Sequence, residues 1–234
     1  MTEIVISGPN KNALSGHLMA ALMRDLHAAG REPVLLRGEG DAFSAGLDLK
    51  EVASLDREGM TSFLTLLETL IETLYLHPAP TVACVAGHAI AGGCVLALCC
   101  DHRVATDGSR ARIGLTEVAV GVTFPPRALA VSRQRVPVRH LEQVVLGAQL
   151  HPMANAQRLG LVDEITSDPL GRARAHLDEL ARLPRDAYAE AKRALRAPLM
   201  ARAAADREQF ETAVDNWTSE PVKERLRAAL RPRR

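Results

Sequence analysis

The sequence has few aromatic residues, no excess of either charge and no long apolar run. Aromatic side chains make up 3% of the 234 residues, and 29 lysines and arginines balance 28 aspartates and glutamates to a net charge of +1. This composition argues against the basic surface and stacking aromatics of a nucleic-acid-binding protein. No apolar segment reaches bilayer-spanning length, and the amino terminus lacks a secretory pattern. We therefore expect a cytoplasmic protein that binds neither nucleic acid nor membrane.

The sequence also lacks cysteines at metal-ligand spacing. Its four cysteines are Cys84, Cys94, Cys99 and Cys100, and all lie in apolar stretches. None belongs to a C-x-x-C pair that is followed by a second cysteine pair or a histidine pair. Zinc needs four converging ligands, and the adjacent Cys99 and Cys100 would point apart on a helix. Cys94 could be a nucleophile, but no histidine stands at a spacing that indicates a paired base. We interpret all four as buried packing residues and expect no metal site.

What the sequence contains is a recurring order of strand, glycine turn and helix. Apolar alternation and short buried runs predict strands in the segments MTEIVISG, PVLLRG, TVACVAG, HRVAT, ARIGL and LVDEIT. Helical spacing of apolar residues predicts helices over 15–30, 59–77, GGCVLALCC, from about Pro126, HLEQVVLGA and MANAQRLG. The order favours an α/β core with a mostly parallel, doubly wound sheet.

Near Asp168 the sequence becomes rich in charged residues and takes on helical patterns. We expect helices from there to the end, with breaks at Pro184, Pro198 and Pro221. Such helices, with apolar stripes and no obvious partner in the core, often pack against another subunit.

Two glycine-bearing turns can present backbone N–H groups to a ligand. Gly92 and Gly93 lead from a predicted strand into a helix, where free N–H groups and the helix dipole favour negative charge. The phosphate-binding patterns G-x-x-x-x-G-K-[ST] and G-x-G-x-x-G are both absent, and close strand–helix packing is an alternative reason for the glycines. Gly46, in AFSAGLDLKE, forms a second such turn. Together the turns can aim two N–H groups at one oxygen, as in an oxyanion hole.

Three segments stand in register along the chain: AFSAGLDLKE, PTVACVAGHAIAGGCVLALCCDHRVAT and IGLTEVAVGV. They resemble the signature segments of the crotonase superfamily, the enoyl-CoA hydratases and isomerases. The resemblance covers essentially the whole chain, from NKNALS through GLVDEI to the C-terminal helices. It replaces the doubly wound sheet with an α/β fold of the crotonase type. The resemblance implies a spiral of ββα repeats over residues 1–168, followed by a helical C-terminal region over residues 169–234. By analogy with the family, we expect that region to form homotrimers, often paired into hexamers.

The resemblance also implies a substrate and the residues that hold it. The substrate would be an acyl-CoA, with no separate cofactor. Its thioester oxygen would accept hydrogen bonds from the backbone N–H groups of Leu47 and Gly92. The coenzyme A part would be contacted, largely through backbone, by Asn12, Ala13, Leu14, Ala45, Asp48 and Leu49. The acyl chain would lie in a pocket formed by Phe63, Leu67, Val95 and Phe124.

The two catalytic positions of the family imply the reaction. Hydratases use two glutamates to position and deprotonate a water, and the matching positions here are Val95 and Glu117. Valine does neither, whereas a single Glu117 can remove a C2 proton and return a proton at C4. Its apolar neighbours would raise its pKa and strengthen it as a base. AGGCVLALCCDHRV, IGLTEVAVGVTFPP and the region ending VDNWTSEPVKERL resemble the Δ3,Δ2-enoyl-CoA isomerase branch. This implies conversion of 3-enoyl-CoA to trans-2-enoyl-CoA, by default in fatty-acid oxidation.

Two alternatives stay open. The first is another crotonase-type reaction, such as hydration or thioester hydrolysis, using Glu117 and a second group that the sequence does not reveal. The second is a catalytically silent acyl-CoA-binding or scaffold protein that keeps the fold.

Overall fold

The computed structural model describes residues 1–108 and 110–230, which form two sheets wrapped by helices. The strands in these residues are β1 (Thr2–Ile6), β2 (Val34–Gly38), β3 (Ala42–Ser44), β4 (Thr81–Val85), β5 (His88–Ile90), β6 (His102–Thr106), β7 (Arg112–Gly114), β8 (His151–Pro152) and β9 (Glu164–Thr166). The helices are α1 (Pro9–Asn12), α2 (Gly16–Ala29), α3 (Leu49–Ser54), α4 (Arg57–Tyr75), α5 (Gly92–Cys99), α6 (Glu117–Val120), α7 (Pro126–Arg135), α8 (Val138–Val145), α9 (Met153–Arg158), α10 (Pro169–Ala181), α11 (Arg185–Ala205), α12 (Arg207–Thr218) and α13 (Glu220–Ala229).

The larger sheet is wholly parallel, with the strand order β1-β2-β4-β6-β9. Its central strands are buried on both faces, which explains their almost continuous apolar sequences. On one face, Ala173 and Leu177 of α10 pack against strand residues that include Val82 and Val104. The main hydrophobic core lies on the other face.

The smaller sheet has the order β3-β5-β7-β8, with β8 antiparallel to β7. Successive strands alternate between the sheets: β2, β4 and β6 lie in the larger sheet, and β3, β5 and β7 lie in the smaller one. Each pair is followed by helical structure, so the chain repeats a ββα unit three times. This is the crotonase spiral that the resemblance implies, and it corrects the doubly wound sheet expected from periodicity alone.

The sequence reading missed strands β3 and β5. Both are three residues long and lie inside the stretches interpreted as turns. Alternation over three residues gives no period, so the pairing that defines them comes from tertiary contacts rather than from local sequence.

Helices α2 and α4 confirm the predictions made from the spacing of apolar residues. Ser15 caps α2 by accepting a hydrogen bond from the N–H of Leu18 at 3.1 Å, and the helix ends before Gly30. Asp56 caps α4 in the same way through the N–H of Gly59, at 2.8 Å. Helix α4 therefore begins two residues before the apolar stripe predicted its start.

The expected break at Pro198 is wrong, because α11 continues through it from Arg185 to Ala205. A proline inside a helix leaves the carbonyl four residues earlier without its donor, here that of Ala194. Ala194 and Pro198 both lie on the exposed face of α11, so water can satisfy that carbonyl. The other two prolines do mark helix starts, with Pro184 before α11 and Pro221 in the first turn of α13.

The C-terminal helices have partners within their own chain. Helices α11, α12 and α13 pack on α7, α4 and α3, and they bury Met200, Val214 and Leu226. A buried ion cluster fixes α11, since the Asp101 carboxylate accepts hydrogen bonds from Tyr188 and Lys192, each at 2.8 Å.

Arg196 also lies 2.8 Å from Asp101 and completes this cluster.

In the described residues, none of the helices combines the length and apolar composition that a bilayer-spanning segment needs.

Candidate active site

A cavity of about 190 Å³ lies between the loop after β3, helices α3 to α7, and the C-terminal helices α12 and α13. Among the described residues that line it, Glu117 carries the only ionisable side chain, and most of the others are apolar. The lining residues are Ala45, Leu47, Leu49, Leu67, Ile71, Ile90, Ala91, Gly92, Val95, Thr116, Glu117, Val120, Val122, Pro125, Ala128, Trp217 and Leu226. The site is thus one carboxyl group in an apolar chamber.

Two glycines bring the predicted turns together at this cavity. Gly46 has φ +88°, and a Cβ there would lie 2.8 Å from the carbonyl oxygen of Ile90 and 3.6 Å from the nitrogen of Gly92. A Cβ on Gly93 would lie 2.5 Å from the carbonyl oxygen of Ser44. Only residues without a Cβ allow this approach, so the loop after β3 lies directly against the start of α5.

The N–H group of Leu47 points away from the neighbouring segment that contains Leu14. Leu14 donates to the carbonyl of Gly46 at 2.7 Å and accepts from the N–H of Asp48 at 3.1 Å. Leu14 therefore uses the groups on both sides of Leu47, as in a parallel bridge, where the central residue points its own N–H to the other side. Within the described chain this N–H has no hydrogen-bond acceptor.

Gly92 begins α5, where the first N–H groups have no partner inside the helix. The preceding Ala91 has φ 48° and ψ −117°, a conformation that costs a non-glycine residue on the order of 1–3 kcal/mol. Ala91 is held there by a 2.8 Å hydrogen bond from its N–H to the carbonyl of Gly114. The N–H of Gly92 likewise finds no acceptor among the described residues, and Leu47 and Gly92 both line the cavity.

Glu117 is the first residue of α6 and is 7% exposed. Its Oε2 has no hydrogen-bond partner in the described structure. Burial raises the pKa of its carboxyl group to about 7, although backbone hydrogen bonds from Glu117 and Thr116 oppose this rise. Near neutral pH the group is therefore present in both protonation states, so it can accept a proton and later return it.

The resemblance assigns to Val95 the position of the first hydratase glutamate. Val95 lies three residues after Gly92 in α5, is 2% exposed, and lines the same cavity as Glu117. Its methyl groups neither bind nor deprotonate water. The arrangement therefore offers one carboxyl group rather than two.

The four residues predicted to form the acyl pocket separate into two pairs. Leu67 and Val95 line the cavity. Phe63 and Phe124 do not line this cavity, and their assignment to the acyl pocket stays a prediction. Phe63 packs in the core, where it lies near Gly16, and Phe124 lines a neighbouring, more open hollow.

The six residues predicted to contact coenzyme A lie around the same loop. Ala45 and Leu49 line the cavity, and Ala13 and Leu14 are buried behind it. Asp48 caps α3 by accepting a hydrogen bond from the N–H of Lys50 at 2.9 Å. Its side chain therefore serves the backbone in this structure.

Asn12 is buried and connects two loops. Its side-chain amide donates to the carbonyls of Glu39 and Ala42, each at 2.8 Å. Together with Asn10 and Lys11 it adopts left-handed backbone angles, so α1 is a left-handed turn rather than a regular helix. This turn holds the loop after β3, because the N–H of Ala45 donates to the carbonyl of Lys11 at 3.0 Å.

The sequence reading missed several cavity residues. Ile71 and Ile90 extend its apolar wall, and Trp217 and Leu226 close it from the C-terminal helices. Trp217 is the only tryptophan in the chain and lies on an amphipathic helix, which was the available signal. Nothing in the local sequence indicated which part of the core that helix covers.

The cysteines pack in the core, as predicted. All four are buried and free, and none of them lines the cavity. Burial raises the pKa of Cys84 to about 11 and that of Cys100 to about 12, and it raises that of Cys94 further. A thiol of this kind stays protonated, so Cys94 is not placed to act as a nucleophile.

A polar cluster that the sequence did not reveal lies away from the cavity. His102, Glu164 and His176 come from β6, β9 and α10, and their potential ligand atoms lie within 4.8 Å of one another. The Glu164 carboxylate already accepts hydrogen bonds from Arg172 at 2.7 and 2.9 Å. The two imidazole rings stack with their centroids 3.8 Å apart. These contacts form an ion-paired cluster that joins α10 to the sheet.

Comparison with known proteins places this geometry in a family. The model of the family "Enoyl-CoA hydratase/isomerase" matches residues 1–230. The chain is 34% identical over 181 residues to a Thermus thermophilus protein with the provisional name enoyl-CoA hydratase, a match that covers 74% of this chain and 70% of that protein. It is 30% identical to the rat mitochondrial enoyl-CoA delta isomerase 1, covering 76% of this chain and 61% of the relative.

A solved structure extends the likeness over almost the full length. The human mitochondrial delta3-delta2-enoyl-CoA isomerase superimposes with a TM-score of 0.91 at 25% identity, covering 95% of this chain and 90% of the human chain. The chain thus has the crotonase fold and belongs to the enoyl-CoA hydratase/isomerase family.

Proposed function

We propose that the protein is an isomerase that converts a 3-enoyl-CoA into the trans-2-enoyl-CoA. The observation that carries this proposal is the combination of one buried carboxyl group, that of Glu117, with an apolar Val95 in the same cavity. A double-bond shift needs one base that becomes an acid, whereas addition of water needs a group that also binds the water.

In the first step the Glu117 carboxylate removes a proton from C2 of the substrate. The C2–H bond breaks, an O–H bond forms on Glu117, and the electron pair moves into a dienolate that extends from the thioester oxygen to C4. The N–H groups of Leu47 and Gly92 hydrogen bond to this oxygen as its negative charge develops. Their lack of other acceptors supports this role.

In the second step Glu117 returns the proton at C4. The double bond then lies between C2 and C3, conjugated with the thioester, and the carboxylate is restored. A pKa near 7 suits both transfers, since the group is basic enough to take a proton and acidic enough to release it. The apolar lining keeps water from quenching the dienolate. The proposed reaction uses no cofactor besides the coenzyme A of the substrate.

Hydration is the second candidate, favoured by the enoyl-CoA hydratase name of the Thermus relative. A water in the cavity would meet only Thr116 and Glu117 as polar side chains with a free group, among the described lining residues. The indole N–H of Trp217 is already donated to the carbonyl of Thr123 at 2.8 Å. The site therefore gives hydration less support than isomerisation.

The test is to supply the purified protein separately with a 3-enoyl-CoA and with the matching trans-2-enoyl-CoA. Isomerisation produces the absorbance of a conjugated thioester from the first ester and leaves the second unhydrated. Formation of 3-hydroxyacyl-CoA from the second ester, with no conversion of the first, would overturn the proposal in favour of hydration. Binding of both esters without turnover would overturn it in favour of a silent acyl-CoA-binding protein.

A further inference from the structure

The loop between α6 and α7 is held from outside by side chains of α12. Residues 121–125 form this loop, and Val122 and Pro125 line the cavity. Four hydrogen bonds reach its backbone from one helix. They join Asn216 Oδ1 to the N–H of Thr123 (2.9 Å), Asn216 Nδ2 to the carbonyl of Gly121 (3.4 Å), Trp217 Nε1 to the carbonyl of Thr123 (2.8 Å) and Gln209 Nε2 to the carbonyl of Phe124 (3.2 Å).

The same loop is bonded directly to the backbone of Glu117. The carbonyl of Glu117 accepts hydrogen bonds from the N–H groups of Gly121 and Val122, at 2.9 and 3.0 Å. Asn216 bonds to the residues on both sides of Val122. A displacement of the loop therefore moves the main chain of Glu117, and its carboxyl group moves with it.

Helix α6 cannot hold Glu117 in place by itself. It is a single turn of four residues, and a turn of that length has too few internal hydrogen bonds to be stable in isolation. Val118 is exposed, so this turn has little burial on its outer face. The orientation of Glu117 thus depends on the contacts at the C-terminal end of the turn, where the α12 side chains act.

We propose that Asn216 is a positioning residue that acts through the backbone of residues 121–123 to hold the Glu117 carboxyl group in the dry cavity. Its amide satisfies one donor and one acceptor of the loop at once, which a side chain of only one polarity does not do. The kinetic consequence rests on the proposed isomerase function, whereas the effect on Glu117 itself does not.

A purely structural role for Asn216 predicts different measurements. If Asn216 only stabilised the fold, its loss would lower the free energy of unfolding and reduce activity in proportion to the folded fraction. If Asn216 positions Glu117, its replacement lowers kcat in fully folded protein and leaves KM nearly unchanged. The same replacement lowers the pKa of Glu117, because a displaced loop admits water and removes the burial that raises that pKa.

The experiment compares Asn216→Leu, Asn216→Asp and a control, Asn155→Leu, in the full chain. Asn155 is also partly buried and makes side-chain hydrogen bonds, to His151 and Arg158, but it does not line the cavity. The measurements are kcat and KM with a 3-enoyl-CoA, chemical denaturation, and the pKa of Glu117 from NMR of protein with carbon-13-labelled glutamate.

For Asn216→Leu we expect kcat to fall by about 10- to 100-fold with KM within about threefold, because small displacements of a catalytic group have effects of this size. We expect the Glu117 pKa to move from about 7 towards the ordinary glutamate value of 4.5. Asn216→Asp keeps the acceptor for Thr123 and should recover part of both losses. Asn155→Leu should match the wild type in kcat and in the Glu117 pKa.

Wild-type kcat and Glu117 pKa in Asn216→Leu would overturn the inference, and so would a loss of activity that follows the unfolded fraction. A wild-type protein that fails to convert 3-enoyl-CoA, together with a Glu117 pKa that falls in Asn216→Leu, would overturn the proposed function and support the positioning of Glu117 by Asn216.

Discussion

Val95 and Glu117 face one apolar cavity, the first with two methyl groups and the second with a carboxyl oxygen that has no hydrogen-bond partner among the described residues. The carboxyl group is charged at a cost in this setting, and burial accordingly raises its pKa to about 7. The chemistry that we propose depends on this relationship, because a second carboxyl group at Val95 would change both the proton affinity of Glu117 and the reaction.

The cost of burying Glu117 should appear in the pH dependence of stability. Its pKa is higher in the folded state than in the unfolded state, so the folded state binds the proton more tightly. Stability is therefore lost as pH rises from about 4.5 through about 7, by about 3 kcal/mol for a shift of this size. Glu117→Gln removes this loss.

The stability of Glu117→Gln relative to the wild type should thus grow by about 3 kcal/mol between about pH 4 and about pH 8. Urea denaturation at a series of pH values measures the difference. If the difference in stability between Glu117→Gln and the wild type stays constant with pH, folding does not raise the pKa of Glu117.

A carboxylate at Val95 should compete with Glu117 for ionisation. In Val95→Glu two carboxyl groups would share one apolar cavity, and each would disfavour the charge on the other. We expect the acidic limb of the pH profile of isomerisation to move up by about one unit or more, with at least about a fivefold loss of rate at neutral pH.

Val95→Gln is the matched control for that variant, since it adds nearly the same volume without charge. Its pH profile should keep the wild-type midpoint even if its rate is lower. Superimposable pH profiles for the two variants would mean that a charge at position 95 does not interact with the charge of Glu117.

Gly46 should be required for the close approach of the two loops, beyond its backbone conformation. Gly46 and Gly40 both have positive φ, +88° and +72°, but a Cβ on Gly46 would contact Ile90, whereas nothing lies within 4 Å of a Cβ on Gly40. Gly40→Ala should cost about 1 kcal/mol of stability and keep full activity.

Gly46→Ala should be less stable than Gly40→Ala and should lose about tenfold or more in kcat, because the Leu47 N–H moves away from the thioester oxygen. Equal activity in the two variants would contradict the role of this N–H group. Denaturation and steady-state kinetics on the same preparations give both quantities.

The Asp101 cluster should anchor α11 to the core. Asp101→Asn leaves the buried cations of Lys192 and Arg196 without a counter-charge, which typically costs about 3 kcal/mol or more. The control is Glu190→Gln on the exposed face of the same helix, where an ion pair with Arg193 is fully solvated. We expect no measurable change for the control, and equal unfolding midpoints would refute the anchoring role.

Much of the fold could be predicted from the sequence. The central strands of the larger sheet are buried on both faces and have almost continuous apolar sequences, and α2 and α4 have apolar stripes at helical spacing. Strands β3 and β5 could not be found by periodicity, because three residues contain fewer than two full periods of a two-residue alternation. Pro198 misled the prediction because its position on an exposed helix face, which makes it tolerable, is a tertiary property.

The candidate site was predictable where motifs carry it. Leu47, Gly92, Val95 and Glu117 were named from their segments, and all four line the cavity. Their catalytic roles stay predictions. Trp217 and Asn216 were missed, since they reach the site from a helix about a hundred residues further along the chain, and only packing shows which loop that helix meets.

The most direct test of the central claim is the rate at which Glu117→Gln converts a 3-enoyl-CoA, measured beside the wild type at neutral pH. Glutamine has the size of glutamate but takes up no proton from C2. We predict wild-type formation of the conjugated 2-enoyl-CoA and a loss of about 10²- to 10⁴-fold in the variant, with substrate binding retained. Conversion by Glu117→Gln at the wild-type rate would contradict the account.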